Sequence, residues 1–310
     1  MKKIFLIIAL FSFCKGVFAQ GEQKPTNLGP GVNTKFTEGH PMLSADGKEL
    51  YFWRELFRKD ANREVQSLWY STLNENGKWN TAKYLSSPFN VGNNSSSVFY
   101  VSPDNNTLLI RGYFKNAARI KEGYSFINRG INGFKDPIGI DLDDYDNMDK
   151  GKYSGGCLLP NGKGLILYFS ESKDGSNCDL YYSFRKDDGS FSKPAYIKFL
   201  NTQFDDATAF VASDNRTLYF SSDRTGTINL AVLSISSKIA YRRSVCLVEL
   251  VKIKLEEKLK PQPVVLVKGK VYDRVTNKPI QATVNYENLK TGSNEGIAIS
   301  DPTTGSYQIA

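Results

Sequence analysis

Between Pro25 and Ser236 the apolar residues of this chain alternate with polar ones, in short runs broken by Gly, Asn and Asp. A period of two predicts strands, and the clustered turn residues predict tight connections between them. Helical spacing is scarce in this stretch. The pattern also recurs. GHPMLSADGKELYF (39–52), VFYVSPDNNTLLI (98–110), SGGCLLPNGKGLILYF (154–169) and TAFVASDNRTLYFSS (208–222) each read as strand, bend, turn and second strand. Their turn residues Asp46, Asp104, Asn161 and Asp214 are 58, 57 and 53 residues apart.

Two further registers share the period. Trp79, Phe134 and Phe191 each follow a glycine-bearing turn (NGKW, NGF, DGSF), and Ser71, Ser125 and Ser183 close the aromatic runs SLWYS, EGYS and DLYYS. A repeat of about 55 residues holds four short strands, so copies of one sheet stacked on each other are expected, as in a β-propeller. The turns carry Gly or Asn where a tight hairpin needs φ above zero. The expected fold class is all-β: a propeller of four recognisable blades over 25–258, its ring incomplete, then a linker at 259–264 and a partial β-sandwich over 265–310.

The repeats resemble the TolB-like (WD40-like) propeller repeats of exported envelope proteins. The resemblance is carried by SADGKELYF at 44–52, DDATAFVASDNRTLYFSSDRTG at 205–226, and the connections NGKWNTAKYLSSPFN (76–90) and DGSFSKPAYIKFLNTQF (188–204). The second and third copies depart from it: Asn105 stands for glycine, and Pro160-Asn161 for the Ser/Pro-Asp pair. Related rings close with about six blades. The segment 236–258, in which VELVKIKL reads as a blade end joined straight to the fourth repeat, therefore suggests missing blades. An amphipathic helix at 246–260 is the other reading of that stretch. Past Pro261-Gln262-Pro263, the strings GKVYD, TNKPIQATV and SDPTTGSYQI resemble a carboxypeptidase-regulatory-like (transthyretin-like) sandwich. In the OmpA-type envelope proteins of Bacteroidetes that sandwich precedes a peptidoglycan-binding module. With Ala310 as the last residue, the sandwich is expected to lack its final strands and that module to be missing.

The first 19 residues change the compartment. Lys2 and Lys3, the apolar run 4–13 and Val17-Phe18-Ala19 have the layout of a signal peptide cleaved before Gln20. The apolar run is too short to span a membrane. Cys14 suggests a lipoprotein signal, but Phe13 occupies the position of a small residue and Lys15 follows, which disfavours it. Removing the leader lowers the formal charge from +8 to +5, and the remaining Lys and Arg are scattered, so no nucleic-acid partner is expected.

Candidate chemistry is sparse. The single histidine, His40, leaves no second imidazole for a paired zinc site and reads as a structural side chain. Asp141, Asp143, Asp144, Asp146 and Asp149 are the best candidate calcium ligands, although Tyr145 and Met148 interrupt the spacing of a calcium loop, and a solvated connection is the other reading. Cys157 and Cys178 flank two strands of the third repeat, as a disulfide or as two buried thiols; Cys246 reads as buried. Asp205-Asp206 and Asp223-Arg224 read as turn caps and a surface ion pair, and Trp53, Trp69 and Trp79 as core residues rather than sugar platforms. No catalytic or cofactor-binding residue is expected. These readings favour an exported, non-enzymatic binding or scaffold protein of the periplasm or outer membrane, with an envelope protein or cell-wall glycan as partner. The alternative is an exported hydrolase or lyase with its site in the propeller channel.

Overall fold

The computed structural model describes residues 26–60, 62–131, 133–150, 153–174, 176–213, 215, 217–223, 229–232, 251–252 and 267–309. The expected leader with Cys14, the turn residue Asp214, Arg224, Cys246, nearly all of 236–258 and the 259–264 linker lie outside them.

The described residues are all-β apart from one turn of helix. A short strand β1 (Thr26–Asn27) precedes the first sheet, which runs in chain order through β2 (Thr37–Leu43), β3 (Glu49–Arg58), β4 (Arg63–Thr72) and β5 (Lys83–Tyr84). The second sheet comprises β6 (Val98–Val101), β7 (Thr107–Lys115), β8 (Ala118–Gly130), β9 (Gly133–Phe134) and β10 (Ile138–Gly139), with β9 and β10 both on β8. The helical turn α1 (Tyr145–Met148) leads to the third sheet: β11 (Gly155–Leu158), β12 (Gly164–Phe169), β13 (Asp179–Phe184) and β14 (Ala195–Tyr196). The fourth holds β15 (Asp206–Val211), β16 (Leu218–Ser222) and β17 (Asn229–Val232). All pairings within these sheets are antiparallel.

The first strands β2, β6, β11 and β15 lie beside one another in succession, so the sheets stack face to face. Stacking on both sides explains the unbroken apolar run of β12: Leu165, Leu167 and Phe169 on one face and Ile166 and Tyr168 on the other are all buried. Between the first two sheets pack Tyr51, Leu68, Val98, Leu108, Phe114 and Ile127. Trp53 is buried where its ring occupies the space a Cβ on Gly39 would need. Trp69 and Trp79 pack against the cluster of Val32, Leu50 and Phe52.

The repeat registers have physical causes. In the hairpins between first and second strands, Gly47, Asn105, Gly162 and Asn215 all take positive φ (68°, 61°, 71° and 53°). Asn105 therefore replaces glycine without breaking the turn, because its side chain tolerates the left-handed region. Ser71 and Ser183 are buried and donate to the carbonyls of Asn80 and Ser192 at 2.6 Å each, one residue past Trp79 and Phe191. The serine and aromatic registers thus meet where the third strand hands over to the fourth.

Among the described residues the sheets do not close into a ring. One long-range pairing joins distant parts: Thr26 and Asn27 of β1 pair with Lys252 and Val251 of β18 (Val251–Lys252). Val251 and Lys252, within VELVKIKL, are thus extended.

The tail comprises β19 (Val267–Lys270), β20 (Thr283–Glu287), β21 (Asn294–Ile299) and β22 (Ser306–Ile309), in two separate two-stranded sheets, β19–β22 and β20–β21. It rests on the hairpins of the second and third sheets. The Ile299 amide donates to Asp104 Oδ2 (3.3 Å), Asn106 Nδ2 donates to the Ile299 carbonyl (2.7 Å), and Gln308 Nε2 donates to the Pro103 carbonyl (3.1 Å).

The disulfide reading of Cys157 and Cys178 is corrected: both are free, buried thiols. Strand β12 lies between their strands, with Cys157 opposite Ile166 and Ile166 opposite Tyr182. Cys178 lies four residues before Tyr182, which separates the two by about 10 Å across the sheet and about 13 Å along it. A disulfide needs Cα atoms within about 7 Å. Burial pushes the Cys157 thiol up to about 12 and moves that of Cys178 in the same direction.

Candidate functional site

The Asp-rich connection after β10 does not gather its carboxylates. Asp141 accepts from the Tyr113 hydroxyl (2.8 Å), Asp143 pairs with Lys186 (3.0 Å), Asp144 with Lys193 (2.6 Å) and Asp146 with Lys121. Asp149 accepts from the Tyr145 hydroxyl (2.8 Å). Asp143 and Asp144 before α1 and Asp146 within it each meet a different lysine, in exposed pairs that contribute little to stability. Among the described residues no three His, Cys, Asp or Glu side chains group as metal ligands would.

His40 lies in a bulge of β2 with φ of 51°, its ring 5.4 Å from that of Phe99. Its Nε2 is buried without a hydrogen-bond partner. Burial first, and the Arg111 charge second, lower its pKa to about 4. The imidazole is therefore neutral near neutral pH and packed as a ring.

A different set of residues converges at the outer end of the third sheet. Tyr181 of β13 lies flat on Phe169 of β12, centroids 4.0 Å apart at 9°, and Tyr196 of β14 meets it edge-on at 5.7 Å. The cross-strand pairing of Tyr181 with Tyr196 sets this geometry. Glu171 reaches back from the connection after β12 to accept from the Tyr181 hydroxyl (2.8 Å). Glu171, Ser172, Asn177, Asp179, Tyr181 and Tyr196 line an open groove of about 540 Å³.

Asp179 is the chemically distinctive member. Its Oδ1 is buried and has no hydrogen-bond partner. Burial first, then the neighbouring charges of Asp206, Glu171 and Asp205, push its pKa up to about 6. The other two aspartates are committed elsewhere. Asp206 is fully buried and accepts from the Thr202 amide and hydroxyl at 2.8 Å each. Asp205 accepts from the Cys178 amide at 2.7 Å. No Lys or Arg among the described residues pairs with Glu171, Asp179 or Asp205. The connection after Tyr196 leaves Phe199 85% exposed and Phe204 37% exposed.

Sequence pattern pointed to none of the groove residues. Asp179, Tyr181 and Ser183 belong to the run DLYYS, which the repeat explains as strand, and Glu171 sits in an ordinary polar connection. Of the adjacent pair read as turn caps, Asp206 holds the turn from Thr202, whereas Asp205 accepts from the distant Cys178 amide, and both raise the negative field on Asp179.

No protein-family model and no curated protein matches the chain. Among solved structures, TolB from Acinetobacter baumannii is similar with a TM-score of 0.37 and 13% identity, over 90% of this chain and 56% of that one. A putative TolB from Agrobacterium tumefaciens gives 0.38 and 17%, over 89% of this chain and 90% of that one. A puromycin hydrolase gives 0.35 and 13%, over 71% and 41%.

Proposed function

We propose that this chain is an exported binding protein of the cell envelope that holds a basic segment of a protein partner in the groove of the third sheet. The observation that carries the reading is the groove itself: two tyrosine rings and two carboxylates, one with a buried and unpartnered oxygen, neither in ion-pair contact with a described Lys or Arg. A lysine or arginine entering there meets a carboxylate for its charge and an aromatic face for its stem. Tyr196, exposed in the groove wall, adds apolar area that a partner would cover. The stacked sheets serve as blades of a propeller that holds this rim rigid, and the leader at 1–19 delivers the chain out of the cytoplasm.

The test is a quantitative pull-down from envelope extract with the full chain and with a Glu171→Gln, Asp179→Asn double variant. A defined partner retained by the native chain, lost at raised salt and at least tenfold depleted with the variant, is the expected result. Equal recovery on both would refute the groove as the binding surface. The enzymatic alternative rests on the same residues, since a carboxyl group protonated up to about pH 6 next to a second carboxylate is suited to acid catalysis on a glycan. Turnover of an envelope polysaccharide that is abolished by Asp179→Asn alone would replace the binding reading.

A further inference from the structure

Where the tail rests on the second and third sheets, a cleft of about 500 Å³ remains between them. Its walls are mainly apolar: Tyr100, Phe126 and Leu158 from the sheets, Tyr286 and Ile297 from the tail. The volume falls in the range of small-molecule sites, roughly 300–1,000 Å³.

One wall residue does not fit an inert seam. Arg185 is half-buried, with its guanidinium 5.8 Å from the Phe126 centroid and 5.9 Å from that of Phe191. It forms no ion pair, and its guanidinium no hydrogen bond, with any described residue. Burial is the sole cause of its lowered pKa, so no nearby carboxylate compensates the charge. The carboxylates around the cleft are already engaged. Asp104 accepts from Ser102, Asn106 and Ile299, Asp141 from Tyr113, and Asp188 from Ser190. Both rings lie within cation–π range of the guanidinium, and its N–H groups, which bind planar oxyanions in pairs, have no acceptor among the described residues.

We propose that this cleft binds a small ligand carrying a carboxylate or phosphate on an apolar body, with Arg185 holding the oxyanion and the aromatic walls holding the remainder. Because the walls belong to both the sheets and the tail, the ligand fastens one to the other. This site is separate from the groove at Asp179, and either proposal can fail alone.

The full chain is titrated calorimetrically with N-acetyl-phenylalanine, with phenyl phosphate, and with the neutral N-acetyl-phenylalanine amide. One of the two anions is expected to bind at least tenfold more tightly than the amide, and which one does identifies the oxyanion. Arg185→Gln should lower that affinity at least tenfold. Thr283→Trp, which fills the cleft from β20, should abolish binding with an unchanged circular dichroism spectrum, and it decides the matter if Arg185→Gln unfolds. The bound anion should also slow protease cleavage within 267–309. Binding of both anions no tighter than that of the amide, undiminished binding by either folded variant, or no binding of either anion would each overturn the proposal.

Discussion

Asp179 and Glu38 show how differently two acids fare in the same kind of sheet. Glu38 is fully buried, yet Arg54 donates to it at 2.8 Å and Thr34 donates through its hydroxyl at 2.6 Å. Arg54 also donates to the Val32 carbonyl at 2.8 Å and lies 4.1 Å from the Trp69 ring, so both charges are paired and packed. At Asp179 burial and like charges outweigh the Tyr196 hydroxyl that favours the charged form, and its pKa rises to about 6. In the unfolded chain the same carboxyl titrates near ~3.9. Below that value both states hold the proton and the folded state suffers no penalty. As pH rises between the two values the unfolded state releases its proton first, so stability falls, and the loss is complete above about 6. Asp179→Asn should therefore raise the melting temperature at neutral pH, with the gain shrinking to nothing near about pH 4. Melting curves of both proteins across that interval check it, and a gain independent of pH would exclude the electrostatic cause.

At the scale of strands and connections, the strongest recurring device is one that the repeat registers do not reveal. Asn90 accepts from the Leu68 amide (2.8 Å) and donates to the Leu68 carbonyl (2.9 Å). Asn201 does the same with Leu180, at 2.8 Å for both bonds. Each asparagine mimics a neighbouring strand and ties the connection leaving a sheet to that sheet's third strand. Leu68 and Leu180 are buried, so removing the amide strands a backbone N–H away from water. Asn90→Ala and Asn201→Ala should each destabilise by about 1–3 kcal/mol. Urea unfolding of the two variants measures this; matching losses are expected because the geometry matches, and a loss at one site only would break the equivalence. Thr34 to Glu38 and Thr202 to Asp206 form a second such pair, threonine donating through amide and hydroxyl to an acid at the start of the first strand. Glu and Asp are interchangeable there because a short carboxylate and a longer one both reach the same two donors.

Across the whole molecule, the contacts that span most sequence are few and specific. Among the described residues β1 meets β18 through two residue pairs, and the tail meets the sheets through hydrogen bonds at Asp104, Asn106 and Gln308 and between Lys135 and Gln281. Gly162 adds a close approach, since a Cβ there would lie 2.9 Å from Ile297 Cγ1. Asn106 is buried and bonds the Ile299 backbone directly, so its side chain is the central fastener of the tail. Asn106→Ala should speed proteolytic cleavage within 267–309 several-fold while leaving the third sheet, remote from the change, equally protected. Timed digestion with mass mapping of the fragments reads both. Uniform acceleration across the chain would mean that the substitution unfolds the second sheet rather than releasing the tail.

The order of strands, the positive-φ turns and the buried serines follow from the sequence, because each is decided within a few residues by alternation, Gly or Asn placement, or a hydroxyl near a carbonyl. The Asn105 turn shows this well: a residue that departs from the glycine pattern still reads correctly once its tolerance of left-handed backbone is considered. The two cysteines mark the limit, for their spacing suits a crosslink and only the register across β12 shows them far apart. Asp179 and Arg185 mark it again. An aspartate in a strand and an arginine before a turn are ordinary in sequence, and their unmet charges exist only because side chains from other sheets and the tail exclude water around them. Local geometry is written in neighbouring residues, whereas burial of a charge depends on atoms brought from far along the chain, which tertiary packing alone decides.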